Sequence, residues 1–173
     1  MFAKIEKFKT FSEVKFYTVR LERKDGEWEN ETETDKFFKE FLDQPEKPSH
    51  GAELVYNSIV EIGKRGAKER YFRFENRANA PPPSANTLAE LGQSKETRGD
   101  ILRLYCIRLS ENVVILTNGD RKSMDAAQDC PNVAPHFRLA NNLAKKIGEA
   151  IVNKEIVVNG KSLQFDDDFG IEL

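Results

Sequence analysis

The chain predicts an α+β domain: an antiparallel meander sheet preceded by a helical hairpin, followed by a C-terminal helix, and ending in a β-hairpin extension. Three observations predict it. Residues 101–118 read as two apolar-rich runs split by a short turn. Apolar stripes at helical spacing recur over 37–42, 54–62 and 140–151. Asn159-Gly160 stands between two short apolar runs, which is a strong two-residue hairpin signal.

Each element follows from its residues. Residues 14–21, VKFYTVRL, are rich in β-branched and aromatic side chains and predict a strand. An acidic loop, DGEWENETET, follows. Thr34 is the expected N-cap of a first helix whose buried stripe is Phe37, Phe38, Phe41 and Leu42. Pro45 and Pro48 break the chain, and Ser49 caps a second helix carrying Leu54, Val55, Ile59 and Ile62. Gly63 or Gly66 ends it. The short link predicts that the two helices pack as an antiparallel hairpin.

Residues 69–77, ERYFRFENR, alternate. Phe72 and Phe74 fall on one side, and Tyr71, Arg73, Glu75 and Arg77 on the other, which predicts a half-buried strand with a cationic outer face. ANAPPPSAN then predicts an insertion over 78–99, mobile and outside the core, with one helical turn at Leu88–Leu91. Ile101–Leu109 and Asn112–Asn118 are the next strands, joined at Ser110–Glu111. Leu102, Leu104 and Cys106 point into a core. Arg103 and Tyr105 project from the opposite, open face, about 7 Å apart along the strand. A third helix buries Ala140, Leu143, Ala144, Ile147 and Ile151. The helices are expected on one side of the sheet.

One domain over 1–173 is expected, with a core of about 14–152, the insertion at 78–99 and the extension at 153–173. An apolar share of 39% and twelve Phe supply a core without staples. No run is long and apolar enough for a membrane span, and MFAKIEKFKTF lacks the apolar centre of a secretion signal. Two Cys, 24 residues apart, exclude a disulfide framework and zinc-type spacing, so a cytoplasmic location is expected. Asp166–Asp168 read as a solvated turn and not as a metal site. No cofactor loop is present.

The net charge of −2 is segregated. Residues 22–46 carry −6, residues 64–122 carry +5, and residues 149–173 carry −4. A basic middle between acidic ends suits either a polyanion-binding face or an ordinary solvated surface. His136 opens the third helix, where the helix dipole depresses an imidazole pKa. It is a candidate general base, or simply a residue of the helix start.

The segments RYFRFE (70–75), LRLYCIRLSENVVILTNGDRKS (102–123) and HFRLANNLAKKI (136–147) resemble the RelE-like toxins, HigB-like members in particular, over about residues 14–152. The resemblance implies a RelE-like fold. It also implies a cytoplasmic endoribonuclease of a toxin–antitoxin system, a hydrolase that cleaves messenger RNA on the ribosome without a metal or other cofactor. A neutralising antitoxin, for example of helix-turn-helix type, would be its partner. The chemistry is attack of a ribose 2′-OH on the adjacent phosphate, which needs in-line geometry and cations aimed at the developing charge. The resemblance assigns the central phosphate contact to Arg103, a second to Arg73, and a basic pair to Arg121 and Lys122. Tyr105 and Arg77 would bind substrate, with Tyr105 stacking on a base. Each residue also has a plainer reading: GDRKS as a solvated turn, Arg73 and Arg77 as partners of Glu75 or Glu69, and Tyr105 as an aromatic at the edge of the core. The competing function is a non-catalytic α+β module that uses the same basic strip for an acidic protein partner. The chain departs from the family in its length, its mild acidity, its Pro-rich insertion and Asp120 beside the basic pair.

Overall fold

A computed structural model describes residues 1–173 except 45, 47, 48, 97, 98 and 124–126. The break expected at Pro45 and Pro48 therefore lies outside the described residues. The fold is α+β. Among the described residues a seven-stranded, mostly antiparallel sheet carries helices on both faces, and a separate two-stranded hairpin lies near the C-terminal end.

The sheet starts earlier than expected. Strands β1 (Phe2–Thr10) and β2 (Lys15–Leu21) form an antiparallel pair. The signal for β1 is the alternation that buries Ala3 and Ile5. Helix α1 (Glu33–Phe41) follows, then α2 (His50–Arg65). The N-cap of α1 is Thr32 and not Thr34. Thr32 and Asp35 form a reciprocal capping box, which satisfies two backbone donors that a cap at 34 would leave open. Thr34 instead is buried, with its hydroxyl 2.6 Å from that of Thr18 and donating to the Thr117 carbonyl at 3.1 Å. Ser49 caps α2 as expected, and Gly66, with φ of 104°, ends it.

Residues 69–77 are not one strand. Glu69–Tyr71 form a 3-10 turn. The alternation begins only at β3 (Arg73–Glu75), which pairs through a tight turn with β4 (Ala78–Ala80). The extra turn changes the phase, so Tyr71 and Phe72 are both buried while Phe74 is 84% exposed. The insertion is also built into the protein. Ala78 and Ala80 pack in the core, Pro81–Pro83 are buried, and α3 (Ala85–Glu90) plants Leu88 and Leu91 in the interior. Proline rings pack as apolar groups and bring no N–H that burial would leave unpaired.

Strands β5 (Leu102–Arg108) and β6 (Val113–Arg121) lie where the two apolar runs predict them. The order β3-β4-β5-β6 is an antiparallel meander. β6 then pairs in parallel with β2, Lys15 opposite Val113. Helix α4 (Ala134–Val152) covers the far face. The helices thus sit on both sides, not one. Phe37, Phe41, Ile59 and Ile62 from α1 and α2 pack on Phe16, Leu102, Leu104 and Cys106. Leu143 and Ile147 from α4 pack on Val19, Ile107, Val113 and Ile115. The unbroken apolar run Val113–Leu116 is what a strand buried on both faces requires.

β7 (Val157–Asn159) and β8 (Ser162–Gln164) form the hairpin predicted at Asn159-Gly160, with Gly160 at φ 59°. β9 (Ile171–Glu172) returns to pair with β1 and covers that edge of the sheet. Among the described residues no helix is long and apolar enough to cross a membrane.

Candidate anion-binding groove

The basic residues of the meander are sorted by strand alternation. Arg103 pairs with Asp120 across β5 and β6, and Leu102 pairs with Arg121. Paired residues share a face, so Arg103 and Arg121 stand on opposite sides of the sheet. Tyr105 follows Arg103 on the α4 side, where it packs with Ala80, Cys130 and Val133. Arg73 pairs with Ala80 and belongs to that side too. The close crossing of β5 and β6 at this point requires Gly119, because a Cβ there would lie 1.6 Å from the Arg103 carbonyl oxygen.

The face that carries Arg103 and Tyr105 is covered, where the sequence predicts it open. Arg103 is 4% exposed and Tyr105 is fully buried. The Arg103 guanidinium donates through one NH group to Glu96 at 2.5 Å and to the Leu102 carbonyl at 3.0 Å. The other Glu96 oxygen lies 3.4 Å from the Arg73 guanidinium. Arg73 also donates to the carbonyls of Pro82 at 2.9 Å and Pro83 at 3.3 Å. Burial lowers the Arg73 pKa, and the neighbouring Arg103 charge adds to that. Among the described residues, two donors in this buried set have no partner: Arg103 Nε and the Tyr105 hydroxyl. Burial drives the Tyr105 pKa up, so the phenol stays protonated.

Arg73 also lines an open groove of about 550 Å³ whose walls include Lys122, Glu75, Asn76, Gln128 and Phe137, with Phe74 at the rim. Phe137 meets Tyr105 edge-on at 6.0 Å, so the groove lies directly above the buried set. The Cys130 thiol lies on the same side, among the residues packed with Tyr105. Burial raises its pKa, but hydrogen bonds from the Ser123 hydroxyl and amide and from the Val133 and Asn132 amides outweigh that and hold it at about 7. Cys106 is buried against α1 and α2, and its pKa is pushed up.

Arg121 and Arg77 lie elsewhere. Arg121 sits on the α2 side, paired with Asp100 at 3.3 Å and with its guanidinium 5.2 Å from the Phe41 ring centre. Arg77 lines a different cavity, against Ala144, Lys145 and Gly148 of α4. His136 lies in the first turn of α4. Burial lowers its pKa, partly opposed by the carboxylates of Glu33 and Asp120. Its surroundings are thus acidic. Glu33, itself 3% exposed, accepts from Asn118 at 3.1 Å and from Lys36 at 2.5 Å. The structure therefore joins Arg73 and Arg103 through Glu96, places Tyr105 beside them and Lys122 in the adjoining groove, and puts Arg121 and Arg77 elsewhere, while His136 faces Glu33 and Asp120.

Sequence reasoning missed Glu96, Asp100, Glu33 and Cys130. Glu96 and Asp100 lie in a stretch without periodicity, and nothing local marks them as partners of strand arginines. Among the described residues no group of three His, Cys, Asp or Glu side chains is placed to hold a metal. Comparison with protein-family models, curated proteins and solved structures finds no match to this chain.

Proposed function

We propose that the protein is a RelE-like, cytoplasmic RNA-binding protein of the toxin–antitoxin type, which takes single-stranded RNA in the groove lined by Arg73 and Lys122. In this reading α1 and α2 form the helical hairpin of a RelE-like fold, and an antitoxin is the physiological partner. The observation that carries it is the groove: two cations against one carboxylate, two amide side chains and an exposed Phe74 line one open concavity. Cations that follow the backbone and aromatics that take base faces are the two parts of a single-strand site. Cleavage in this setting forms the 2′-oxygen–phosphorus bond and breaks the bond to the 5′-oxygen. The 2′-OH proton passes to a base, and the 5′-oxygen takes one up. Arg73 and Arg103 are the charges that favour the phosphorane, with no metal in the scheme.

The test is binding of a labelled single-stranded RNA to wild type, Arg73→Ala and Lys122→Ala, beside growth on expression with and without the neighbouring reading frame's product. Each substitution is expected to weaken binding and to reduce the salt slope by roughly 0.7 for each phosphate that is no longer neutralised. RNA binding that is undetectable, or indifferent to both changes, overturns the reading.

A second reading has its own support. Arg103 is already paired with Glu96, and Arg121 with Asp100. The groove then offers Arg73 and Lys122 as its cations, which suits a non-catalytic module holding an acidic protein segment. Expression without growth arrest, and a complex with an acidic protein partner weakened by Lys122→Ala, would favour it.

A further inference from the structure

Glu96 has the position of a built-in ligand. Its two oxygens join two guanidiniums from different strands, one to Arg103 at 2.5 Å and one to Arg73 at 3.4 Å. A carboxylate has only two oxygens, and the set it serves has more donors than that. Among the described residues Arg103 Nε is left without a partner, although its side chain is only 5% exposed. The Tyr105 hydroxyl, on the same side of β5 two residues on, is fully buried and also finds no partner among the described residues. A buried donor without a partner is costly, and such groups are rare enough to need a cause. A tetrahedral phosphate group presents more acceptor oxygens than a carboxylate, and so has the acceptors that Glu96 lacks.

The route to this set is present. The Glu96 side chain is 17% exposed and that of Arg73 is 31% exposed, and Arg73 also lines the groove. A side-chain rotation of Glu96 is the minimum change that frees both guanidiniums.

We propose that Glu96 is an autoinhibitory occupant of a phosphate subsite formed by Arg73 and Arg103 with the Tyr105 hydroxyl, and that a phosphate group entering from the groove must displace it. The proposal rests on the groove being the ligand-binding face, and it adds how access to Arg103 is controlled. Arg103 is then silent while Glu96 stays in place.

The experiment measures inorganic phosphate binding by calorimetry, together with the labelled single-stranded RNA, for wild type, Glu96→Gln, Arg103→Ala and the double variant. A ligand that competes with a dominant closed state loses affinity in proportion to the open fraction. With the site open about one time in ten or less, Glu96→Gln is expected to bind phosphate at least about tenfold tighter than wild type. Arg103→Ala is expected to weaken phosphate binding on its own, and to cancel the gain when combined with Glu96→Gln. Glu69→Gln removes one negative charge at an exposed pair with Arg108 and is expected to give no such gain. If Glu96→Gln does not fold, Glu96→Asp decides, because it keeps the charge but is too short to reach both arginines. A folded Glu96 variant that binds phosphate no tighter than wild type overturns the proposal, as does a gain that survives removal of Arg103. Loss of RNA binding in Lys122→Ala with no gain at Glu96 removes the autoinhibition alone. A phosphate gain without RNA binding by any variant removes the RNA reading and leaves the subsite.

Discussion

Asp100 holds Arg121 at 3.3 Å while its carboxylate oxygens also accept from the Ser49 hydroxyl at 2.7 and 2.9 Å and from the Gly51 amide at 2.8 Å. One carboxylate thus completes the N-terminus of α2 and fixes the last residue of β6 against Phe41. The helix dipole favours a negative charge at this end. Strand alternation puts Arg121 on this side, away from the groove, and the ion pair holds its side chain there.

Asp100→Ala is expected to cost about 1–2 kcal/mol, the range for a charged hydrogen-bond acceptor discounted for partial exposure. For a chain of this size that lowers the melting temperature by roughly 2–8 °C. Burial raises the Asp100 pKa, but the Gly51 amide, the Ser49 hydroxyl and Arg121 more than offset it, so the folded value is lowered. The stabilisation is therefore complete above the unfolded value of about 3.9 and fades as pH falls through the lower folded value. Melting curves of both proteins should differ at neutral pH and converge in acid. A difference that is unchanged in acid would count against the assignment.

Tyr105→Phe is expected to leave stability unchanged or raise it by up to about 1 kcal/mol. The hydroxyl is buried and has no partner among the described residues, so its removal relieves a desolvation cost and breaks none of their hydrogen bonds. Urea denaturation without phosphate is the measurement. A drop above about 1 kcal/mol would show a partner for the hydroxyl and remove it from the proposed subsite.

Cys130 links pH to stability in the opposite range from Asp100. Its thiol stands at about 7 when folded, against about 8.5 when unfolded, so the folded state favours the thiolate. Stability is then expected to rise with pH between about 7 and about 8.5. Cys130→Ser should flatten that rise, and Ser123→Ala should narrow it by removing one donor. Cys106, whose thiol is pushed up by full burial, should contribute no such rise. Chemical denaturation at several pH values separates the two, and a Cys130→Ser protein with the wild-type pH profile would refute the assignment.

Strand alternation is the most legible feature. The residues Leu102, Leu104 and Cys106 predict one face of β5, and Arg103 and Tyr105 the other, as found. What alternation cannot carry is what covers a face. Glu96 and the carbonyls of Pro82 and Pro83 reach the arginines from a connection without periodicity, so the open cationic face of the sequence becomes a buried ion bridge. Arg121 shows the same limit. Its place directly beside Lys122 suggests a basic pair, but successive strand residues point to opposite sides. The insertion departs from its expected place outside the core for a related reason. Three prolines look like a solvated spacer, yet their rings are apolar, and Leu88 and Leu91 shortly after them anchor the segment. Deleting 79–97 is therefore expected to abolish cooperative unfolding, since it removes β4, α3 and buried Leu side chains worth about 2–5 kcal/mol each.

Phe74 gives the clearest separation of function from fold. It is 84% exposed on the edge strand, so Phe74→Ala removes almost no buried area and is expected to shift stability by no more than about 0.5 kcal/mol. The described residues leave this Phe beside a cationic groove almost uncovered. Its expected contribution is to a ligand. If a base stacks on it, the substitution weakens single-stranded RNA binding by about 1–3 kcal/mol, or roughly fivefold to 150-fold. The salt slope should stay the same, because the same phosphates remain neutralised. Lys122→Ala should do the reverse and reduce the slope. Anisotropy titrations at several salt concentrations distinguish the two. Equal binding by wild type and Phe74→Ala would place the bases elsewhere and favour an acidic protein segment, which needs the cations of the groove and not its aromatic rim.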